Sequence, residues 1–292
     1  MRKIFQSIIA AIILVTSINF AFAAENLHIG EGIYQFAEPT GANNKPMNIH
    51  YYRPKNWQVG DKIFVAFHGI DRQPQYVIKG LQKQAEQKNF LIICPEFDKE
   101  KFPGDRYYSL GNVMSKGSNG LMPKTQWTYN AANRIIDDVK NRTGSANSKV
   151  IFFGHSAGGQ FMHRYLFFAD KIKADRVIAS NAGMYVMPDE DINFPYGLKN
   201  TPITAEDLKR AYNQDVIILL GEKDVLRGKH FPDSAQAEAQ GSTRFDRGKN
   251  FYIKSNLKAQ ELGTRFNWRL ITVPNVGHAG VSMAKQAVKY ID

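Results

Sequence analysis

A serine in a turn of small residues is the strongest candidate for chemistry in this chain. Ser156 lies in the stretch 154–159 (GHSAGG), directly after the apolar run 150–153. A G-x-S-x-G pattern between a strand and a helix is typical of a turn so tight that its flanking positions need small side chains. Such a turn exposes the serine hydroxyl beside the first N–H groups of the helix. The pattern predicts that Ser156 is a nucleophile, and the alternative is a serine that only caps the helix.

A serine nucleophile needs a base that takes its proton and a third group that orients the base. Two later stretches supply these residue types. The apolar run 215–220 is followed by a loop that contains Asp224, and the run 269–273 is followed by a loop that contains His278. This order predicts that Asp224 orients His278 and that His278 exchanges the proton with Ser156.

Other acidic and histidine side chains compete less well for these roles. Glu222 lies in the same loop as Asp224 but nearer the strand, and Asp215 precedes the strand and falls at the other edge of the sheet. His155 is expected to point away from the serine. His163, two helical turns further on, is expected to be a packing residue.

Two backbone N–H groups would have to stabilise the negative oxygen that forms when a serine attacks a carbonyl carbon. One belongs to Ala157, the residue after the serine. The other is expected in the loop after the apolar run 62–67, where Gly69 allows a turn that aims the Ile70 N–H at the site. His68 is expected to brace this loop by hydrogen bonds.

Strand and helix patterns alternate along the chain, which predicts an α/β fold with a mostly parallel central sheet and helices on both faces. The predicted strands are 46–53, 61–67, 90–94, 149–153, 176–180, 215–220 and 268–273. The predicted helices are 74–88, 126–141, 159–169, 204–212, 251–262 and 281–291. No linker or repeat divides the chain, so we expect one catalytic domain over 24–292.

Together these motifs resemble those of the α/β-hydrolase family. The resemblance rests on 68–69 (HG), 154–159, Asp224 and 277–278 (GH), and it covers nearly the whole chain after residue 23. It implies the α/β-hydrolase fold, a Ser-His-Asp triad and hydrolysis through an acyl-enzyme.

Within that family the chain resembles exported esterases that are grouped with polyhydroxybutyrate depolymerases and feruloyl esterases. The stretches 95–97, 102–112 and 181–185 carry this resemblance. The depolymerases proper are typically rich in disulfides, whereas this chain has one cysteine. The resemblance therefore implies an esterase type and leaves the substrate open.

Three long loops follow predicted strands at the edge where the serine lies, and we expect them to build the substrate pocket. They are 96–125, 181–203 and 225–250. Their aromatic and methionine side chains suit the apolar or aromatic part of a small-molecule or oligomeric ester, and packing of the loops against the domain is the alternative. The candidate substrate contacts are Tyr107, Tyr108, Tyr185 and His230. Arg244 and Arg247 are expected either to bind a substrate carboxylate or to pair with Asp233 and Asp246.

The first residues predict export. A basic start, the apolar stretch 4–22 and a small-x-small site at 21–23 fit a secretory signal peptide over 1–23. Polar residues interrupt the apolar stretch, which disfavours an uncleaved membrane anchor. We therefore expect a secreted or periplasmic protein with no membrane span after cleavage.

Charge and cysteine content narrow the classes of function. After residue 23 the chain has 36 Lys and Arg against 27 Asp and Glu, which suits anionic surroundings or a basic exported protein. The basic residues are spread out and form no known nucleic-acid motif, so nucleic acid binding is not expected. Cys94 ends an apolar run and is expected to be buried. No metal-ligand spacing is present, so neither a metal nor another cofactor is expected.

The residues thus predict an exported serine hydrolase that cleaves carboxylic esters. Two alternatives stay open. A serine peptidase on the same fold would use the same triad, and Glu190 and Asp191 could then hold a substrate amine. A non-catalytic envelope-binding protein on a hydrolase scaffold is the other, although its complete set of triad and oxyanion positions would be unusual.

Overall fold

The computed structural model describes residues 26–118 and 120–292. The signal peptide predicted over 1–23 therefore lies outside the described residues. The strands are β1 Gly30–Phe36, β2 Met47–Arg53, β3 Ile63–Phe67, β4 Leu91–Pro95, β5 Val150–His155, β6 Arg176–Ser180, β7 Val216–Gly221 and β8 Trp268–Val273. The α-helices are α1 Pro74–Lys88, α2 Gly104–Tyr107, α3 Asn130–Thr143, α4 Ala157–Phe168, α5 Ala205–Asn213, α6 Ala235–Glu238, α7 Arg244–Glu261 and α8 Gly280–Ala287. Short 3-10 turns occupy Lys116–Ser118, Lys124–Gln126 and Val288–Tyr290.

All of these strands join one sheet in the order β1-β2-β4-β3-β5-β6-β7-β8. The pairs β1–β2 and β2–β4 are antiparallel, and every pair from β4–β3 to β7–β8 is parallel. Strands β3, β4, β5 and β7 are buried along their whole length, as parallel strands covered on both faces must be. The predicted mostly parallel sheet is confirmed.

Helices cover both faces of the sheet, as the sequence predicts. Neighbouring side chains of β5 alternate between the faces, so that Phe152 and Phe153 enter different cores. On the Phe153 side, α1 and α8 bury residues such as Ile78 and Met283. On the Phe152 side, α3, α4, α5 and α7 close a larger core that includes Phe161.

The register aligns the ends of the strands that precede the candidate nucleophile, acid and base. His155 at the end of β5 lies beside Ser180 of β6, and Gly221 at the end of β7 lies beside Val273 of β8. Because these strands are parallel, the loops after β5, β7 and β8 leave the sheet at the same edge.

Strand β1 and the start of α7 differ most from the prediction, and the short helices α2 and α6 were not predicted. The sequence predicts no strand over Gly30–Phe36, because this stretch contains no apolar run. In the structure its residues alternate between half-buried and exposed. Helix α7 begins at Arg244, well before the predicted start at 251. Its early start is explained by Thr243, whose Oγ1 accepts a hydrogen bond from the Asp246 N–H at 3.0 Å and donates one to the Asp246 carboxylate at 2.7 Å.

No helix within 26–118 or 120–292 has the length and apolar content that crossing a membrane would require. Cys94 is fully buried, as predicted, and burial raises the pKa of its thiol. Thiolate chemistry is therefore disfavoured at this residue.

Candidate active site

Close backbone contacts hold the turn around Ser156. This residue has φ 58° and ψ −116°, a strained conformation for a residue with a side chain. A Cβ on Gly158 would lie 2.1 Å from the Phe67 carbonyl oxygen. A Cβ on Gly159 would lie 2.4 Å from the Ser180 carbonyl oxygen. Both distances are shorter than a carbon atom can tolerate, so the turn requires glycine at these two positions.

Ser156, His278 and Asp224 form one hydrogen-bonded line. Ser156 Oγ lies 2.9 Å from His278 Nε2, and His278 Nδ1 lies 2.7 Å from Asp224 Oδ2. A carboxylate can only accept, so His278 Nδ1–H donates to Asp224, and Nε2 is left to accept the Ser156 hydroxyl proton. The Asp224 side chain is 1% exposed and that of His278 is 31% exposed. The carboxylate is therefore sheltered from water, while the imidazole reaches the accessible side of the site.

Asp224 contacts the imidazole, whereas the two alternative carboxylates considered from the sequence bind other partners. Glu222 accepts a hydrogen bond from the Thr272 hydroxyl at 2.8 Å. Asp215 lies at the opposite end of β7, where it pairs with Arg176 at 2.7 Å. Neither rival carboxylate contacts the imidazole.

Asn181, to which the sequence reasoning gave no role, ties the loop of the acid to the loop of the base. Its Oδ1 accepts a hydrogen bond from the Gly221 N–H at 2.9 Å, and its Nδ2 donates to the Gly277 carbonyl at 3.4 Å. The Lys223 N–H adds a bond of 2.9 Å to the Val276 carbonyl. Asn181 follows β6 directly and has φ 46°, a backbone conformation that asparagine tolerates better than most residues. The sequence signal for this role was the position of an asparagine directly after a buried strand.

One of the two residues predicted to supply the oxyanion hole lies in the turn of the serine, and the other lies at its cavity. Ala157 opens helix α4, where a backbone N–H has no acceptor within the helix. Ile70 lines the same cavity as Ser156. The loop that carries Ile70 approaches the serine so closely that a Cβ on Gly69 would lie 3.8 Å from Ser156 Cβ.

His68 braces this loop, as the sequence predicts. Its Nδ1–H donates to the Gly69 carbonyl at 2.9 Å, and its Nε2 accepts from the Phe97 N–H at 3.0 Å. Burial lowers the pKa of His68 to about 3, so the ring stays neutral and can make both bonds.

His155 does not point away from the site as expected. It lines the same cavity as Ser156, and its ring centroid lies 4.6 Å from that of His278. The reason is its place at the end of β5, where the side chain packs against the loop that carries His278. Burial and then the nearby His278 lower the pKa of His155, which keeps it neutral. His163 is a packing residue, as predicted, and donates to the Gly159 carbonyl at 3.0 Å.

Ser156 opens into a cavity of about 490 Å³, a size typical of small-molecule sites. Its apolar lining residues are Ile70, Tyr76, Val77, Leu226 and Val281. Its ionised lining residues are Arg72, Lys229, Arg244 and Asp71. The cavity wall therefore combines apolar surface with an excess of positive charge.

Of the four predicted substrate contacts, the structure places His230 at the cavity and the three tyrosines elsewhere. Tyr108 and Tyr185 are fully buried, and the Tyr108 hydroxyl donates to the His68 carbonyl at 2.7 Å. Tyr107 packs beneath a neighbouring guanidinium and does not line the cavity. Direct substrate contact by these tyrosines is therefore not supported.

The 96–125 and 181–203 loops bury most of their aromatic side chains, because a long loop needs an apolar anchor of its own. Phe97 stacks on Tyr108 with ring centroids 4.7 Å apart and packs on Phe161 of α4 at 5.3 Å. These side chains therefore pack the loops against the domain, which was the alternative to substrate contact. The wall of the cavity comes from residues of 68–77 and from the segment 225–231, in which Leu226 is 79% exposed.

The 225–231 segment is fixed at its far end by Phe231. The Phe231 ring is stacked by the guanidinium groups of Arg244 at 5.0 Å and Arg247 at 4.0 Å. Arg247 is fully buried and pairs with Glu238, so it is not available to a substrate carboxylate. The expected pairing with Asp233 and Asp246 is wrong, since Asp246 pairs with Lys249 on its own helix. Arg244 is 5% exposed and lies 3.6 Å from Asp224 Oδ1.

The arrangement can move a proton from a serine hydroxyl to an imidazole and stabilise the imidazolium that results. This chemistry needs a carbonyl carbon within reach of Ser156 Oγ. In the described parts of the chain, no three His, Cys, Asp or Glu side chains are grouped as a metal site would require.

Two solved structures resemble the chain over nearly its whole length. Poly(aspartic acid) hydrolase-1 from Sphingomonas sp. KT-1 is 31% identical, with a TM-score of 0.85 over 91% of this chain and 99% of that chain. LpqC, a poly(3-hydroxybutyrate) depolymerase from Bordetella parapertussis, is 27% identical, with a TM-score of 0.84 over 90% of this chain and 89% of that chain.

Among curated proteins, a bifunctional acetylxylan esterase/xylanase from Neocallimastix patriciarum is 26% identical over 130 residues. The match covers 44% of this chain and 17% of that much longer protein. No protein-family model matches the chain.

Proposed function

The chain belongs to the α/β-hydrolase family, among its esterase-type members, and we propose that it is an exported serine hydrolase that cleaves carboxylic esters. In this proposal Ser156 is the nucleophile, His278 is the general base and acid, and Asp224 orients His278. The observation that carries the proposal is the hydrogen-bonded line from Ser156 Oγ through His278 to Asp224, with the serine at the wall of a cavity.

Acylation follows from this geometry. His278 Nε2 takes the hydroxyl proton as Ser156 Oγ attacks the ester carbonyl carbon. The carbonyl oxygen becomes an anion and accepts hydrogen bonds from the N–H groups of Ala157 and Ile70. The bond to the leaving oxygen then breaks, His278 gives its proton to that oxygen, and the alcohol leaves the acyl group on Ser156.

Deacylation repeats these steps with water as the nucleophile. His278 takes a proton from water, the resulting hydroxide attacks the acyl carbon, and the proton returns to Ser156 Oγ as the carboxylic acid leaves. Asp224 stays ionised throughout and stabilises the imidazolium. Its burial strengthens that interaction, because the charge pair is poorly screened by water.

The cavity lining and the names of two relatives bear on the substrate. LpqC is named for depolymerisation of a polyester, and the curated relative is named in part as an acetylxylan esterase. The apolar lining residues suit a short or medium apolar group on the ester, or one unit of an oligomeric ester. These observations support ester cleavage and leave the length of the substrate to experiment.

Turnover of p-nitrophenyl butyrate by the wild-type chain and Ser156→Ala tests the proposal. We expect the substitution to lower kcat by at least about a thousandfold, because it removes the nucleophile, and to leave the melting temperature unchanged. Ser242→Ala, outside the cavity, is the matched control and should keep wild-type activity. Undiminished turnover by Ser156→Ala would overturn the assignment.

A second candidate function is cleavage of amide bonds in an anionic polymer. One neighbour is named for hydrolysis of poly(aspartic acid), a polyamide with carboxylate groups. Arg72, Lys229 and Arg244 give the cavity an excess of positive charge that would attract such a chain. Glu190 pairs with Lys258 outside the cavity, so the capture of a substrate amine that the sequence suggested for it is not supported.

Hydrolysis of poly(aspartic acid) and of 3-hydroxybutyrate oligomers, each at low and high salt, separates the two functions. Ester cleavage predicts faster turnover of the hydroxybutyrate oligomers with little dependence on salt. Faster turnover of poly(aspartic acid) that collapses at high salt would rank the second candidate first, because screening weakens attraction between exposed charges.

Export is also part of the proposal and rests on the signal peptide predicted over 1–23. Expression of the full chain in a bacterial host should yield a mature protein that begins at Ala24 in the periplasm or the medium. Recovery of the uncleaved chain in the membrane fraction would contradict this part of the proposal.

A further inference from the structure

The Asp224 carboxylate has two oxygens, and they have different partners. Oδ2 accepts the hydrogen bond from His278 Nδ1 at 2.7 Å. Oδ1 lies 3.6 Å from Arg244 Nη1, and the two side chains are 1% and 6% exposed. A buried carboxylate oxygen requires a donor or a cation, because it has lost its hydration. Among the described residues, Arg244 supplies the cation that Oδ1 faces.

We infer that Arg244 is a positioning residue for the proposed reaction: its guanidinium balances the buried charge of Asp224 and fixes the direction from which Oδ2 faces His278. The inference rests on the proposed function and deepens it. Arg244 acts through Asp224 and makes no bond to the reacting atoms.

Arg244 is itself held by the 225–231 segment. Its Nη1 donates to the Leu226 carbonyl at 3.2 Å, and its guanidinium stacks on the Phe231 ring at 5.0 Å. Burial lowers the pKa of Arg244, yet a guanidinium begins so far above neutrality that it remains charged. The guanidinium therefore links the outer wall of the cavity to the acid behind it.

The other titratable groups around the carboxylate are uncharged or already paired. Burial and then Asp224 raise the pKa of Tyr185, and burial, His278 and Arg244 lower the pKa of His155, so both rings are neutral. Arg247, behind Arg244, is paired with a glutamate of α6. The charged or titrating partners of the Asp224 carboxylate are thus the Arg244 guanidinium and the His278 imidazole, while Arg72, Lys229 and Asp71 line the cavity that His278 faces.

Loss of the guanidinium has a defined consequence. An uncompensated Asp224 carboxylate makes the neighbouring imidazole easier to protonate, so the neutral base is lost at higher pH than in the wild type. The carboxylate also loses the contact that limits its rotation. Both effects lower kcat, whereas KM for an uncharged ester stays the same because the substrate loses no partner.

The experiment compares Arg244→Gln, Arg244→Lys and Arg227→Gln in the mature chain 24–292. Arg227 does not line the cavity. It stacks on the same Phe231 ring at 5.1 Å but pairs with Glu238, so Arg227→Gln controls for anchoring of the segment. The readouts are kcat and KM for p-nitrophenyl butyrate across pH, the rate of labelling by a fluorophosphonate, and the melting temperature.

For Arg244→Gln we expect kcat to fall by at least about tenfold at neutral pH, KM to stay within about twofold, and the acidic limb of the rate profile to rise by about half to one pH unit. Fluorophosphonate labelling should slow in parallel. Arg244→Lys should restore the wild-type acidic limb and most of kcat, and Arg227→Gln should match the wild type. If Arg244→Gln does not fold, Arg244→Met, which keeps the apolar stem, carries the same expectation.

Three outcomes overturn the inference. An acidic limb that does not move, with an equal loss of rate at every pH, would make Arg244 merely structural. A raised KM confined to anionic esters would make it a substrate ligand, and a loss in Arg227→Gln as large as in Arg244→Gln would assign the effect to the segment. Failure of the proposed function is distinct, because the wild type and Arg227→Gln would then neither turn over esters nor react with the fluorophosphonate.

Discussion

The turn at 154–159 and the 225–231 segment line the same cavity but are held in different ways. The turn is locked by backbone: Gly158 and Gly159 lie against carbonyl groups of two neighbouring strands, with no room for a side chain. The 225–231 segment is anchored mainly by the Phe231 ring, and Leu226 is 79% exposed.

This difference separates the proposed chemistry from recognition. The turn fixes the Ser156 hydroxyl through contacts that tolerate no substitution, as a nucleophile requires. The 225–231 segment presents side chains that can change without disturbing the sheet, as residues that select a substrate can. Asp224 stands at the boundary, because it is the last buried residue before the exposed segment.

The largest effect is expected at that boundary. Asp224→Asn should lower kcat by about a thousandfold or more, because an amide cannot stabilise the imidazolium or hold its tautomer. Glu222→Gln, two residues earlier in the same loop, should stay within about twofold, because Glu222 bonds to Thr272 instead. Steady-state kinetics on a p-nitrophenyl ester checks both variants, and equal losses in the two would remove the distinction between them.

A pair of glycine substitutions tests the contrast in backbone packing. Gly158→Ala should destabilise the fold by about 3 kcal/mol or more, because its Cβ would meet the Phe67 carbonyl. A Cβ on Gly228, in the 225–231 segment, would meet nothing within 4 Å, so Gly228→Ala should change stability by less than about 0.5 kcal/mol. Urea unfolding measures both values. A Gly158→Ala variant as stable as the wild type would contradict the tight backbone packing of the turn.

The buried histidines around the turn predict a loss of stability in acid. The pKa of His68 is lowered from 6.5 to about 3 in the fold, so between these values the unfolded chain binds a proton that the folded chain does not. The free energy of unfolding is therefore at its full value above pH 6.5 and falls towards about pH 3, by up to about 1.4 kcal/mol per pH unit for this residue. Burial lowers the pKa of His155 and His163 as well, which adds slope of the same sign.

Urea unfolding at a series of pH values measures that slope. His68→Asn should reduce it, because that variant has no imidazole at this position for the unfolded chain to protonate. Stability that does not vary between pH 7 and about pH 4 would contradict the neutral buried rings.

The smallest effect is expected at Leu226, in the exposed part of the 225–231 segment. Leu226→Ser should raise KM for a medium-chain ester by about threefold while kcat and the melting temperature stay the same, because the side chain lines the cavity but packs little. Val59→Ser, at an exposed apolar residue outside the cavity, is the control. A lower melting temperature in Leu226→Ser would indicate that the segment packs more tightly than the structure suggests.

The elements around the site could be predicted from sequence because their signals are local. Apolar runs mark β5, β7 and β8, and the order of the loops that follow them places Ser156, Asp224 and His278 at one edge. Loop and edge elements were harder, since β1 carries no apolar run and α7 starts on a capping pair that the prediction overlooked.

The substrate contacts could not be predicted in the same way, because aromatic content does not tell a wall from a core. Tyr108 and Tyr185 lie in loops at the correct edge, yet both are buried beneath those loops. Arg244 and Asn181 reach their partners through tertiary contacts across the sheet edge. Such contacts depend on how loops from distant parts of the chain meet, and local patterns do not encode that.

The nucleophilic role of Ser156 is tested most directly by the mass of the protein after reaction with a fluorophosphonate, followed by mapping of the modified peptide. We expect one adduct, on Ser156, that is absent from Ser156→Ala and forms much more slowly in His278→Gln, because attack on phosphorus needs the same activated hydroxyl. A folded wild-type chain that gains no adduct, or gains one on another residue, would contradict this role and favour a non-catalytic binding protein on this scaffold.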